Sequence, residues 1–489
     1  MKRHYWKKTV EFALVFTSLA LVTWTRPKHL GYVATGYDAK VMCSSVFISG
    51  RSPKEVQKND LLYTRIMPVK LDVDMENREV RATVSGSSAR RAVYREGLGC
   101  TLAIGVSDDE LATQAHAAPP AAPPLREGLL CPEGNAVNLD ELPPEVNQDM
   151  LEQALGFAFT NPSPFKKLGT RAVVVVYKGR IIAERYAPGF SENTPLVGWS
   201  MTKSVTNALV GILVQQGKLD VYAPAPVPEW QSPEDPRSEI TLDQLLRMCS
   251  GLKWADHALT TDILNMMYLE PDTAAFAASI PLAHPPGSKW SYSSGTTNIV
   301  SRIIRQAVGG SDADYFAFPY RELFHKLGMN SAVLEPDASG TFVGSSYLYA
   351  TARDWARFGQ LYLQDGVWNG ERILPEGWVA YSVTPTLAAP QGGYGAQFWL
   401  NAGSPDDPDD RWMPKLPTDI YSTRGLDGQF VTVIPSHDLV VVRLGLTINY
   451  MKRWDHQQFL RMIMEAVLFS SSERTGGQER EYFTAETEK

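Results

Sequence analysis

Cysteine is scarce in this sequence, with four residues among 489. No C-x-x-C pair or H-E-x-x-H segment occurs, so we predict no zinc site and expect no metal or other cofactor. Four cysteines are too few to define a disulfide framework, although they are compatible with an oxidising compartment. Cys43 and Cys100 bracket one segment and are a possible disulfide, and buried free thiols are the alternative interpretation.

An excess of basic residues is also missing. The formal net charge is −7, and the composition of 44% hydrophobic and 21% charged residues is that of an ordinary globular protein. Because a protein that binds phosphate backbones needs a basic face, we expect no nucleic-acid partner.

Long hydrophobic runs are absent except near the N-terminus, where an apolar run spans Val10–Trp24. Basic residues precede it, at Lys2, Arg3, Lys7 and Lys8, in the order typical of an export signal or signal anchor. The run is short for a membrane span, and no small-x-small cleavage site follows it. We interpret it as an uncleaved anchor, with a cleaved signal peptide and a buried helix as alternatives. The anchor predicts membrane attachment and a catalytic domain on the periplasmic or extracellular side.

The length and the distribution of proline divide the chain into segments. We predict a signal anchor or signal peptide (residues 1–30), a small accessory domain with short β-like stretches (31–114) and a Pro/Ala linker (115–125). The linker is expected to be semi-rigid and to act as a spacer between the accessory domain and the main domain. A main domain (140–470) follows, and a polar, Gly/Glu-rich segment (471–489) is expected to be a disordered tail.

The main domain begins and ends with strand signals. β-Branched runs flank Lys178-Gly179 within residues 172–186, and a second pair spans residues 430–434 and 439–444. Helical patterns lie between these pairs, at residues 204–216, 242–248, 298–308 and 352–364, and a last one covers 454–469. We therefore predict an α+β fold: an antiparallel sheet built from both ends of the domain, flanked by helices, with a helical subdomain.

The pattern Ser-x-x-Lys occurs three times. The copy at Ser163 lies in a loop broken by proline, and the copy at Ser250 has a glycine directly after the serine, where a helix ends. Ser200–Lys203 instead opens an apolar-periodic helix. Residues three apart share a helix face, so Lys203 can reach the Ser200 hydroxyl.

A helix start also suits the chemistry of acyl transfer. Its unpaired amides and positive dipole end favour the negative charge on an attacked carbonyl oxygen. They disfavour a protonated lysine, so a desolvated Lys203 would act as a base. The alternative is a serine N-cap with a surface lysine.

Tyr292 follows the turn residues Pro285-Pro286-Gly287 and directly precedes a predicted helix. A phenol beside the serine would relay a proton to the leaving group. Taken alone, Tyr292 is more typical of a packing residue.

Together these motifs resemble the β-lactamase-related serine hydrolases. That superfamily includes class C β-lactamases, D-alanyl-D-alanine peptidases, lactamase-like esterases and 6-aminohexanoate-dimer hydrolases. The likeness runs from about Asn147 to Phe469 in the family's order, and further motifs that carry it are residues 240–246, Ser250-Gly251-Leu252, residues 350–354 and residues 394–399.

The resemblance implies roles for particular residues. Ser200 corresponds to the acylated nucleophile, Lys203 to its partner base and Tyr292 to the proton-relay tyrosine. The third family motif falls on Thr423-Arg424-Gly425, which implies an oxyanion hole made by the backbone N–H groups of Ser200 and Leu426.

The chain departs from penicillin-recognising members of the family at two positions. Ser294 stands where they have asparagine, and Asn298 lies one helical turn further on. Thr423 replaces the lysine of the third motif, and neighbouring Arg424 is a possible substitute. These changes argue against a true β-lactamase and resemble the 6-aminohexanoate-dimer hydrolase and esterase branch. The resemblance implies that the substrate-binding residues are Ser294, Asn298, Thr423, Arg424 and Gly425.

We therefore predict a serine hydrolase that cleaves a small ester or amide through an acyl-enzyme. The alternatives are a penicillin-binding D-amino-acid peptidase and a non-catalytic penicillin-binding-like sensor. The residues do not predict the substrate or the oligomeric state, because pocket walls come from loops and one fold hosts many substrates.

Overall fold

The computed structural model describes residues 27–84, 88–124, 128–132, 134–163, 166–254 and 261–468. The predicted apolar run Val10–Trp24 and the predicted tail (471–489) lie outside these residues. Within them, no helix has both the length and the apolar content needed to cross a membrane.

The strands, in chain order, are β1 (Val69–Asp74), β2 (Glu79–Val84), β3 (Ser88–Arg95), β4 (Gly99–Leu102), β5 (Thr170–Tyr177), β6 (Arg180–Tyr186), β7 (Leu196–Val197), β8 (Val333–Leu334), β9 (Leu348–Ala350), β10 (Val367–Trp368), β11 (Glu371–Arg372), β12 (Trp399–Leu400), β13 (Tyr421–Gly425), β14 (Gln429–Ile434) and β15 (Leu439–Gly445). The α-helices are α1 (Pro27–Phe47), α2 (Pro53–Asn59), α3 (Asp108–His116), α4 (Gln148–Phe159), α5 (Thr202–Gln215), α6 (Leu242–Leu246), α7 (Thr261–Tyr268), α8 (Thr273–Ser279), α9 (Ser294–Val308), α10 (Asp312–Pro319), α11 (His325–Leu327), α12 (Ala352–Leu363), α13 (Trp378–Val383), α14 (Tyr450–Arg453) and α15 (His456–Val467).

The central sheet has six strands in the order β12-β13-β14-β15-β5-β6, and neighbouring strands are antiparallel. The last strand of the domain, β15, pairs with the first, β5, so that Val441 lies opposite Val175. The predicted α+β fold, with one sheet built from both ends of the domain, is therefore confirmed.

Both faces of this sheet are covered, which explains its runs of valine. Successive residues of a strand point to opposite faces. Val174 and Val176 join one apolar cluster with helices α5 and α12, and Val173 and Val175 join a second cluster with α4 and α15. The helical subdomain, α6 to α11, lies between β7 and β9 in the chain.

The N-terminal segment forms a four-stranded antiparallel sheet, in the order β1-β2-β3-β4, against helix α1. Cys43 of α1 is joined to Cys100 of β4 by a disulfide, while Cys131 and Cys249 are buried free cysteines. Most of α1 is buried, because the helix lies between this sheet and the main domain and shares one continuous apolar cluster with both.

The Pro/Ala segment does not hold the accessory sheet away from the main domain as a spacer. Helix α3 runs to His116, two residues into the predicted linker. The irregular segment after it contacts the main domain through the Asn330 amide, which donates to the Pro123 carbonyl at 2.7 Å. A buried ion pair between Lys40 and Glu335 also joins the two parts directly. Apolar burial and this ion pair therefore override the expectation from proline content.

Candidate active site

Ser200 lies in a sharp turn between β7 and α5. A short 3₁₀ segment, Trp199–Met201, leads into the helix, and Trp199 adopts φ +47°, a conformation that non-glycine residues rarely adopt. The turn begins at Gly198, where a Cβ atom would lie 2.3 Å from the Trp355 ring. Only glycine fits here, so the turn presents Ser200 at the N-terminal end of α5, as the sequence predicted.

Lys203 is 1% exposed and lies beneath Ser200. Its Nζ atom is 3.1 Å from Ser200 Oγ, 3.1 Å from Ser294 Oγ and 3.0 Å from the Ser345 carbonyl oxygen. The carbonyl can only accept, so it takes one hydrogen of the amine. A neutral amine would donate its second hydrogen to Ser294, and its lone pair would then face the Ser200 hydroxyl.

Tyr292 lies on the other side of Lys203, whose Nζ is 4.9 Å from the centre of the tyrosine ring. The ring packs against Trp399 and Tyr394, with centroid distances of 5.3 and 5.9 Å. These contacts hold the tyrosine beside the amine, where the sequence predicted a proton relay. Tyr292 is thus both a packing residue and a neighbour of the Ser200–Lys203 pair.

Strand β13 forms the opposite wall of the site. A Cβ atom on Gly425 would lie 2.1 Å from the Gly198 carbonyl oxygen, so the strand approaches the nucleophile turn as closely as two backbones can. Leu426 follows directly and is 37% exposed. The backbone of the predicted oxyanion residues, Ser200 and Leu426, is therefore carried by two segments in direct contact.

The two other residues of the third motif point in opposite directions. Thr423 lies opposite Val431, on the sheet face that carries α5, and is 2% exposed. Its hydroxyl has no hydrogen-bond partner among the described residues. Arg424 lies opposite Phe430 on the other face, where its guanidinium carbon is 3.6 Å from the centre of the Trp412 ring. Strand alternation therefore places Thr423 and Arg424 on opposite faces of the sheet, and the Arg424 guanidinium carbon is also 5.2 Å from the centre of the Trp399 ring.

Two residues predicted to bind substrate instead support Lys203. Ser294 is 2% exposed and accepts a hydrogen bond from the lysine. Asn298 is fully buried, and its side-chain oxygen accepts from the Ser345 N–H at 3.2 Å, which fixes the carbonyl that Lys203 contacts. Asn298 is thus behind the lysine rather than in the substrate region, because one turn of α9 carries it inward.

The other Ser-x-x-Lys copies do not form such a pair. Ser250 lies beyond the end of α6 and directly before Gly251. Gly251 adopts φ +77°, and a Cβ atom on it would lie 2.2 Å from the His284 carbonyl oxygen. Ser163 lies in an irregular loop and forms an isolated bridge with Lys166. Among the described residues, no group of three or more His, Cys, Asp or Glu is arranged to hold a metal ion.

Two parts of the site have no signal in the sequence. One is the Ser345 loop, whose contribution is a backbone carbonyl. The other is Asp427, which follows Leu426, is 1% exposed and accepts a hydrogen bond at 2.6 Å from the Tyr63 hydroxyl of the accessory segment. Burial raises the pKa of Asp427 to about 6, although the Tyr63 bond and the guanidinium groups of Arg171 and Arg443 oppose that rise.

Comparisons with known proteins identify the family of the main domain. The family model described as "Beta-lactamase" matches residues 165–447. The 6-aminohexanoate-dimer hydrolase of Paenarthrobacter ureafaciens is 24% identical over 313 residues, which cover 56% of this chain and 72% of that protein.

Solved structures share the fold at low sequence identity. A family VIII carboxylesterase is 15% identical with a TM-score of 0.52, over 66% of this chain and 97% of that chain. A candidate 6-aminohexanoate-dimer hydrolase from Bacillus anthracis is 24% identical with a TM-score of 0.50, over 68% of this chain and 85% of that chain. Since the family match alone spans more than half of its length, this chain belongs to the β-lactamase family and is a β-lactamase-related serine hydrolase.

Proposed function

We propose that the protein cleaves a small ester or amide through an acyl-enzyme formed on Ser200. The observation that carries this proposal is the 3.1 Å contact between Lys203 Nζ and Ser200 Oγ at the start of α5. The lysine is buried and contacts two hydroxyls and a carbonyl at about that distance, so in its neutral form the amine would accept the Ser200 proton.

In the proposed reaction, Ser200 Oγ attacks the substrate carbonyl carbon while its proton moves to Lys203. Tyr292, beside the amine, passes a proton to the leaving alcohol or amine as the bond to the carbonyl carbon breaks. Water then attacks the acyl-enzyme, gives a proton back through the same groups and releases the acid together with free Ser200.

The negative charge of each tetrahedral intermediate falls on the former carbonyl oxygen. We assign its stabilisation to the backbone N–H groups of Ser200 and Leu426, supported by the close approach of β13 to the nucleophile turn. Thr423 supplies a buried hydroxyl on the sheet face that carries α5, and we propose that this hydroxyl forms a hydrogen bond with the substrate.

The proposal of an ester or a small amide rests on two groups that β-lactam-recognising sites have and this site lacks. Ser294 is used by Lys203, and Arg424 is stacked on Trp412, so neither offers the amide or the cation expected there. The relative that cleaves 6-aminohexanoate dimers supports the amide class, and the carboxylesterase fold supports the ester class. A D-amino-acid peptidase remains the second candidate within the family.

Covalent labelling tests the nucleophile. A fluorophosphonate probe should label the wild-type protein and the variants Ser163→Ala and Ser250→Ala, whereas Ser200→Ala should remain unlabelled. Labelling that survives in Ser200→Ala would disprove the assignment. A panel of p-nitrophenyl esters, small amides, nitrocefin and D-alanyl peptides then separates the esterase or amidase from the peptidase, and no turnover of any of them would favour a sensor.

We also propose that the catalytic domain is exported and tethered by the N-terminal segment. Support comes from the basic residues before Val10–Trp24 and from the Cys43–Cys100 disulfide, which is typical of an oxidising compartment. The full-length protein should fractionate with membranes, and a version beginning at Pro27 should be released. Full-length protein in the cytosol with all four thiols free would contradict this placement.

A further inference from the structure

The accessory segment reaches the oxyanion side of the site. Tyr63 lies between α2 and β1, outside the family match at residues 165–447. Its hydroxyl donates to Asp427 Oδ1 at 2.6 Å, across the boundary between the two parts of the protein. Asp427 is the residue directly after Leu426 in the turn between β13 and β14.

The backbone of Asp427 is held in this turn by hydrogen bonds. It adopts φ +61°, and its carbonyl accepts from the Thr447 N–H at 2.8 Å. The next carbonyl, of Gly428, accepts from Arg443 at 2.6 Å. The second carboxylate oxygen, Oδ2, is buried and has no hydrogen-bond partner among the described residues, so the Tyr63 hydroxyl carries the hydrogen bonding of this side chain.

The neighbours of Tyr63 in the accessory segment contact the main domain. Its ring makes an edge contact with Tyr37 of α1 at 6.0 Å, and Tyr37 contacts Tyr268 of the helical subdomain at 5.9 Å. Three residues earlier, Asp60 accepts hydrogen bonds from Arg51 and from Arg171 of β5, at 2.7 to 2.8 Å. Tyr63, which is 41% exposed, therefore lies among residues that contact the main domain.

We propose that Tyr63 is a positioning residue for hydrolysis, which acts through Asp427 to hold the Leu426 N–H in place for the oxyanion. The inference rests on the proposed acyl-enzyme at Ser200. Without the phenol, neither oxygen of a buried carboxylate has a partner, so the side chain turns towards water and takes the turn with it. The N–H of Leu426 then moves away from the position where charge develops.

The test measures kcat and KM for p-nitrophenyl butyrate in the full-length protein. Loss of a complete oxyanion donor lowers kcat by about 10²- to 10³-fold, so a displaced donor in Tyr63→Phe should lower it by about 10-fold, with KM changed by less than about 3-fold. Asp427→Ala removes the side chain through which Tyr63 holds the turn, so it should lower kcat by a similar factor. The double variant should be no slower than Asp427→Ala, because both changes break one interaction.

Two further variants separate positioning from general stability. Asp427→Asn should retain kcat within about 3-fold, because the asparagine side-chain oxygen can still accept a hydrogen bond from Tyr63. Tyr94→Phe alters a tyrosine of β3 whose hydroxyl lies towards Glu96 within the accessory sheet, and should leave kcat unchanged. If Tyr63→Phe does not fold, the contrast between Asp427→Ala and Asp427→Asn tests the same bond.

The outcomes distinguish this inference from the proposed function. A wild-type kcat in Tyr63→Phe would overturn the role of Tyr63, and so would a kcat in the double variant that is lowered by the product of the two single effects. In either case, fluorophosphonate labelling of Ser200 would continue. Absence of labelling in the wild-type protein would instead overturn the proposed acyl-enzyme, on which the inference depends.

Discussion

Lys203 has two hydroxyls and one carbonyl within 3.1 Å of its amine, and Tyr292 lies against it. A lysine in such a place is suited to proton transfer, since its amine contacts the nucleophile and lies beside the tyrosine. Its three oxygen neighbours also make it structurally important, so a test of its role has to keep the volume of the side chain.

We expect Lys203→Met and Tyr292→Phe each to lower kcat by about 10²-fold or more, because each variant loses a general acid/base group. Both keep the approximate shape of the side chain. Thermal unfolding should show that the fold is retained, and ester hydrolysis measures the loss. Turnover close to wild type in a folded variant would remove that residue from the mechanism.

Thr423 gives a second prediction at this scale. Its buried hydroxyl has no hydrogen-bond partner among the described residues, so Thr423→Val removes an unsatisfied group and should leave the free energy of unfolding unchanged or raised by up to about 1 kcal/mol. If the hydroxyl binds substrate, kcat/KM should fall by about 10-fold, the value of one neutral hydrogen bond. Denaturant titration and steady-state kinetics measure the two effects, and an unchanged kcat/KM would rule out the substrate contact.

At the residue scale, sequence patterns predict the parts of the site that are close together in the chain or lie at the start of an element. Ser200 and Lys203 belong to one helical turn, and Tyr292 directly precedes a helix. The Ser294–Lys203 and Tyr63–Asp427 contacts span 91 and 364 positions. Such pairings depend on the packed fold, and no local pattern reports them.

The approach of β13 to the nucleophile turn is the critical contact between elements. Gly198 fits beneath Trp355, and Gly425 fits against Gly198.

We expect Gly425→Ala to push the strand away from the turn, because its Cβ would lie 2.1 Å from a backbone oxygen. Turnover should fall by about 10²-fold as the oxyanion site opens. Gly179→Ala, in the β5–β6 hairpin, is the control: it also adds a methyl group, but no atom lies within 4 Å of the new Cβ. Its φ of +71° adds backbone strain, so this variant shows the effect of strain without displacement of β13. Equal kcat in Gly425→Ala and wild type would contradict the proposed oxyanion wall.

Helix α1 gives a pH-dependent prediction. Burial raises the pKa of Asp38 to about 6, against a hydrogen bond from Thr64 that lowers it. The folded protein therefore binds more protons than the unfolded chain between pH 4 and 6, so this group's contribution to stability is present below about pH 4 and is lost as the pH rises through about 6.

We expect the free energy of unfolding of wild type, measured relative to Asp38→Asn, to fall by about 2–3 kcal/mol from pH 4 to pH 7. The asparagine does not titrate, so the difference isolates the carboxyl. Denaturant titrations at several pH values measure it. A difference that is constant across this range would mean that Asp38 titrates normally.

Elements with a clear period were well predicted. The predicted strands and helices of the main domain lie within a few residues of β5, β6, β14, β15, α5 and α12. Two-residue strands such as β7 and β12 were not predicted, because pairs of this length have no period. The predicted start of α9 at Asn298 was late, since the polar first turn from Ser294 interrupts the apolar pattern.

The whole molecule differs from the predicted series of domains joined by a spacer. Proline and alanine content suggested separation, but α1 is buried against the main domain and Tyr63 contacts its catalytic side. Packing of this kind comes from long-range complementarity of surfaces, which composition does not report. We therefore expect both parts to unfold together.

The Lys40–Glu335 ion pair tests this coupling. Glu335 is fully buried, and its Oε1 also accepts from Ser44 Oγ at 2.8 Å and from the Cys100 N–H at 2.6 Å. Lys40→Met leaves a buried carboxylate without its cation, which should destabilise the protein by about 3–5 kcal/mol. The double variant Lys40→Met/Glu335→Gln removes both charges and keeps the Oε1 acceptor, so it should recover most of this loss.

Denaturation is followed by tryptophan fluorescence and by loss of esterase activity. In both variants we expect one transition, and we expect its midpoint to be the same in the two measurements. If activity survives while an earlier transition appears in Lys40→Met, the accessory segment unfolds independently and does not support the catalytic site.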